Sequence, residues 1–209
     1  MKDIKQYINL TTNIKEGFKL GKNYKKPYNY YPKTTKELKD IIKKLVNERG
    51  DNADLNDIDT SKITDMSMLF YYSNFNGDMS GWDVSNVVDM SNMFMSSKFD
   101  GDISGWDVSN VTSMRYTFGN SEYSGKNGSL ENWDVSNVKY MDYMFANSQF
   151  NGDISNWDVS SVKSMGGMFM KSKFDGDISR WNVSNVKRMD HMFKESSLEG
   201  NEPVWYTNK

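Results

Sequence analysis

The chain has 209 residues, no cysteine, one histidine and a formal charge of −2. Without cysteine it holds no disulfide framework and no thiolate metal site, which favours a reducing compartment, while its 37% hydrophobic content suffices for one substantial core. The near-neutral total hides an asymmetry: residues 1–50 carry 13 Lys+Arg and 5 Asp+Glu, a net of +8, leaving 13 and 23, a net of −10, for residues 51–209.

Residues 1–31 form a basic N-terminal segment. Residues 1–10 place Ile4, Tyr7 and Ile8 at helical spacing and predict a short helix. The first 20 residues contain neither the apolar run of a signal peptide nor a membrane-length stretch, so the expectation is a cytoplasmic protein. A linker rich in Lys, Asn and Tyr follows over 19–31. Within it Lys22, Tyr24, Lys25, Lys26 and Tyr28 interleave basic and aromatic groups, the composition of a single-strand nucleic-acid contact. A solvated linker explains the same residues without a partner.

Residues 32–50 predict a capping helix. Thr34 or Thr35 is the N-cap candidate, Leu38, Ile41, Ile42, Leu45 and Val46 share one face, and Gly50 stops it. A stacked repeat exposes an apolar end, and an amphipathic helix just before the first coil would cover it.

From 51 to 209 the chain repeats itself. Tryptophans at 82, 106, 133, 157, 181 and 205 are spaced by 24, 27, 24, 24 and 24 residues. The phrase between them reads W-D-V-S-N-V-x-x-M-x-x-M-F-x-x-S-x-F-N/D-G-D-I-S-x, with Ile58 in the tryptophan position of an earlier, edge-adapted unit. A fixed period of this size predicts stacked units completed by their neighbours. The columns Val84/108/135/159/183, Val87/111/138/162/186, Met90/114/141/165/189 and Phe94/118/145/169/193 should form the core, so the methionines are packing rather than a cofactor feature.

The D-I-S-x-W-D-V part predicts a strand. Strict alternation cannot put Ile103, Trp106 and Val108 on one face, however, and a bend must intervene. The M-x-x-M-F-x-x-S part predicts a helical or 3₁₀ turn. Leu198, Gly200 and Trp205 continue the register, but Glu202 and Pro203 replace the usual Ile-Ser, a polar, proline-containing turn that predicts a C-terminal cap. The expected fold is thus an α/β repeat solenoid of about six 24-residue coils, each a short strand plus a helical or 3₁₀ turn.

The tandem WDVSNVxxMxxMF…FNGDIS phrase, with its PKTTKELK…G…ADLNDIDTSKITDMS lead-in, closely resembles the leucine-rich-like repeat of the bacterial surface-protein (BspA) type, also described as the mycoplasma lipoprotein-type DUF285 repeat. The resemblance covers residues 32–205 and implies a leucine-rich-repeat-like stack with a non-enzymatic interaction role. Many relatives are surface adhesins, whereas this sequence shows no signal or lipoprotein cysteine.

Function is expected in columns that vary. Tyr116, Lys139, Tyr140, Tyr143, Lys163, Lys187, Arg188 and His191 make a Tyr/Lys/Arg patch toward the C-terminal half, with the residue types that anchor interfaces. An ordinary solvated face explains the same pattern. The longer third unit adds a bulge that includes Lys126 and Asn127. The Asp columns, Asp83/107/134/158 and Asp78/102/153/177, suit turn capping better than calcium ligation, so no metal or cofactor is expected. With one histidine and no cysteine, catalysis is not expected either. The favoured function is a protein-binding module, either an intracellular adaptor or a phage-type inhibitor of a host protein; the alternatives are an adhesin and a nucleic-acid binder using the basic segment.

Overall fold

A computed structural model describes residues 28–206. The helix expected over 1–10 and the candidates Lys22, Tyr24, Lys25 and Lys26 lie outside these residues.

Helix α1 spans Thr35–Arg49. Thr34 is its N-cap: the Glu37 N–H donates to Thr34 Oγ1 (3.2 Å), and Glu37 Oε2 in turn accepts the Lys33 N–H (2.7 Å). Such a cap is worth about 1 kcal/mol. At the other end Gly50, at φ +85°, returns its N–H to the Val46 carbonyl. Leu38, Ile42 and Leu45 are buried in the one continuous core, with Ile41 and Val46 partly buried against it. Thr35 Oγ1 donates to the Asp65 carbonyl (2.6 Å), which fixes the helix over the first unit.

Each later unit lies against the one before it in parallel register. Single-residue parallel bridges run Asp65, Asp89, Ser113, Tyr140, Ser164, Arg188, one rung per unit. Beside each rung, alternate N–H groups donate to the next unit: Met90 to Ser113, Asn92 to Arg115, Phe94 to Thr117 and Ser96 to Gly119, at 2.8–3.0 Å. Phenylalanines stack in register, Phe94 on Phe118 and Phe118 on Phe145 at 5.6 Å between nearly parallel rings. A second file runs Phe75, Phe99, Tyr123, Phe150, Phe174 at 6.2–6.5 Å. Each buried ring contributes roughly 1.5–3 kcal/mol, and the buried valine, methionine and tryptophan columns complete the same core.

The tryptophans carry a polar tip into this core, and each tip is satisfied. Every indole N–H donates to a carbonyl in the preceding unit, as Trp157 does to Leu130 (2.9 Å) and Trp181 to Ile154 (3.1 Å). Trp205 repeats the bond to Ile178. The last unit is thereby closed by Trp205 on Trp181 and by Tyr206 edge-on to Phe193.

Two local expectations differ from the structure. The D-I-S-x-W-D-V segment is not a strand: the Trp106 N–H returns to the Ile103 carbonyl and the Val111 N–H to the Val108 carbonyl, closing two tight turns. Asp102 and Asp107 accept the N–H and hydroxyl of Ser104 and Ser109, and such local side-chain bonds compete with an extended ladder. The turns also bring Ile103, Trp106 and Val108 inward together. The M-x-x-M segment is not a helical turn. Met90 to Met93 does close at i to i+3, but Asn92 has φ +59°, the sign of a type II turn. The left-handed position recurs at Met68, Tyr116, Tyr143, Gly167 and His191, which is the variable column.

Candidate functional site: the variable columns

Left-handed backbone at the third turn residue turns its side chain away from the core, where the methionine and phenylalanine on either side are buried. In two successive units that residue is tyrosine. The rings of Tyr116 and Tyr143 stack at 4.7 Å with planes 10° apart. Tyr143 continues over Gly167, where an added β-carbon would meet the ring at 2.3 Å. Glycine at 167 therefore gives Tyr143 its resting place.

Gly166 does the same for charge. Lacking a side chain there, the chain lets Arg188 reach past that unit to Asp142, two units away, at 3.4 Å, while Arg188 Nε bonds Asp190 at 2.7 Å. A β-carbon at Gly166 would stand 3.1 Å from both Arg188 Nε and Asp190 Oδ1. Asp142 is buried and also accepts from Arg115 Nε (3.1 Å) and from the Ser164 hydroxyl. Arg115 lies 3.8 Å over the Tyr140 ring centroid. The result is a network of Arg115, Asp142, Arg188 and Asp190 beside the tyrosine pair. The bond to Arg188 lowers the Asp190 pKa, and the same bond raises that of Arg188. Tyr116 is raised above the ordinary phenol range first by burial, then by its neighbours Tyr143 and Asp142.

Of the expected patch, the structure brings Tyr116, Tyr143, Tyr140 and Arg188 into this network. Lys139, Lys163 and Lys187 form the adjacent file, joined by the Lys163 N–H to the Lys139 carbonyl and the Lys187 N–H to the Lys163 carbonyl. His191 is exposed one unit beyond Gly167 in the same column. The bulge stands apart from these. Asn127 Nδ2 donates to the Asp100 carbonyl (2.6 Å), Ser124 bonds the Asp100 carboxylate, and Tyr123 donates its hydroxyl to Gly128. Burial raises the Tyr123 pKa. Among the described residues no hydrogen bond or ion pair ties Lys126 or Asn127 to the patch. Tyr28 stands edge-on to Tyr31, whose hydroxyl donates to the Tyr28 carbonyl.

Sequence reasoning missed Arg115, Asp142 and the Gly166–Gly167 pair. The signal was present, since Arg115 and Asp142 occupy one column in adjacent units and a glycine pair interrupts two variable columns at once. It also missed a second exposed group, Met68, Tyr71, Tyr72 and Val88, on the first two units.

The Asp columns are engaged in turns. Asp153 and Asp177 are held below the ordinary carboxyl range by the N–H and then the side chain of Ser155 and Ser179, and Asp158 by the side chain and then the N–H of Ser160. Among the described residues no three His, Cys, Asp or Glu side chains gather as a metal site, and no helix is long and apolar enough to cross a membrane.

No curated protein and no solved structure matches the chain. One family model does, twice, over residues 36–126 and 121–209, and its description is "Mycoplasma protein of unknown function, DUF285". With two matches that between them span nearly all of α1 and the repeats, the chain belongs to the DUF285 family.

Proposed function

We propose that this protein is a non-enzymatic, leucine-rich-repeat-like solenoid that binds another protein through its variable columns, as an adaptor or as an inhibitor of its target. One observation carries the reading: the fixed columns are consumed by packing, whereas Tyr116, Tyr143, Arg115 and Arg188 are held side by side on the surface in a preset geometry. Aromatic and arginine side chains whose rotamers are already fixed lose little entropy on binding, which is what an interface anchor requires. The cysteine-free sequence supports a reducing compartment as the place of action.

Affinity capture from the native host tests the reading. The wild-type chain should retain a partner that is lost when Tyr116, Tyr143 and Arg188 are changed to Ala, with the fold checked by circular dichroism. Capture of the same partners by the triple variant would refute it.

A further inference from the structure

In four units an asparagine follows a D-V-S or N-V-S triplet and ties that unit to the one before. Asn86 Nδ2 donates to the Ser61 carbonyl, Asn110 to Ser85, Asn137 to Ser109 and Asn185 to Ser160, at 2.7–3.0 Å. The file is broken once, at Ser161. A serine side chain is too short to make that reach, and a cleft of about 530 Å³ opens there, lined by Lys139, Ser160, Ser161, Lys163, Asn185 and Lys187.

The three lysines are exposed and occupy equivalent positions in consecutive units. Among the described residues none of them forms an ion pair, and the lining of the cleft contains no carboxylate. Like charges stacked at parallel-strand spacing repel one another, so a bound counter-charge would relieve the file. The preceding members of the column are Thr64, Val88 and Thr112. The basic run therefore begins at Lys139 and coincides with the broken asparagine file.

We infer that this cleft is an anion subsite for an acidic, extended segment of the protein partner, running along the stack with carboxylates at alternate positions. The inference rests on the protein-binding reading given above. Its geometry follows from backbone spacings: strands in register stand about 4.8 Å apart, so Lys139 and Lys187 emerge roughly 10 Å apart. Alternate residues of an extended peptide project to one side about 6.8 Å apart, so two carboxylates lie within the span of three lysines. A nucleic acid fits less well. Its phosphates form one unbroken run of charge whereas the lysines span only three units, and the lining offers no aromatic ring on which a base could stack.

The test uses the full chain and a fluorescent peptide with Glu at every second position, a peptide of equal charge with its Glu residues contiguous, inorganic phosphate, and a short oligothymidylate. The alternating peptide should bind in a salt-sensitive manner and more tightly than the contiguous one or phosphate. Lys163→Gln should weaken it about tenfold. Ser161→Asn should weaken it comparably while leaving every charge in place, and should raise the melting temperature by restoring the asparagine bond. Unchanged affinity in Ser161→Asn would show diffuse attraction and overturn the subsite. Displacement of the peptide by oligothymidylate at lower concentration would overturn the choice of partner. Should the peptide fail to bind while partner capture still depends on Tyr116 and Tyr143, only the subsite falls; capture indifferent to those tyrosines overturns the underlying reading.

Discussion

The ring of Tyr143 lies across Gly167 of the following unit, occupying the space where any β-carbon at 167 would stand. Two features converge on that glycine: its φ of +60° and the aromatic ring above it. Gly167→Ala should strain the left-handed backbone and push Tyr143 away from Tyr116, at a cost of about 1–3 kcal/mol. Chemical denaturation gives the stability loss, and partner capture should fall with it.

Met68 holds the same left-handed backbone, with φ +56°, but its side chain is exposed. Met68→Gly should therefore be neutral or stabilising by up to about 1 kcal/mol, the opposite sign to Gly167→Ala. The difference in denaturation midpoint between the two variants measures how much of the cost at 167 belongs to the ring.

Trp157 tests the indole ladder. Trp157→Phe keeps an aromatic ring in the file but removes the donor to the Leu130 carbonyl. That carbonyl keeps the Trp133 N–H (3.0 Å), so losing one of its two donors and leaving the indole volume partly empty should cost about 1–3 kcal/mol in urea denaturation. An exposed-face change such as Lys98→Gln should move the midpoint by less than about 0.5 kcal/mol.

Arg49 and Asp57 set an acid limit on the anchoring of α1. Two guanidinium bonds at 2.9 Å hold the Asp57 carboxyl at about 2, below its ordinary 3.8. Because the folded value is depressed, this stabilisation is complete above pH 4 and disappears as pH falls through about 2. It is worth roughly 1–2 kcal/mol, allowing for the one-third exposure of Arg49. Asp57→Asn should lower stability at pH 7 and flatten the acid limb of a stability profile measured by denaturation between pH 2 and 7.

Asp142 is the buried hub that orients Arg115 and Arg188. Asp142→Asn should release both arginines, cost about 1–3 kcal/mol and reduce partner affinity more than stability alone explains. Capture by the variant at a temperature where it is fully folded separates the two effects. A partner retained at wild-type level would show that preset arginine geometry is not needed.

Much of the structure was legible in the sequence because a repeat announces its own columns. The valine, methionine, phenylalanine and tryptophan columns are recognisable as inward because apolar residues recur there, whereas the equally recurrent Asp columns are exposed in turns. The Thr34 cap, the apolar face of α1 and its Gly50 stop were equally readable, because capping and helical spacing are local properties. Local chemistry misled in two places. The D-I-S-x-W-D-V residues favour strands by composition, yet their Asp and Ser side chains close turns; the M-x-x-M spacing suits a helix, yet its third residue is left-handed.

By itself, then, the sequence determined the period, the core columns, the ends of α1 and the columns free to vary. Only the tertiary structure decided what the free columns do together. Arg188 meets Asp142 across 46 residues because Gly166 leaves the way open, and Tyr143 rests on Gly167 because successive units stand in register. Such pairings are set by the rise and lateral offset of stacked units, which no local preference of the chain encodes.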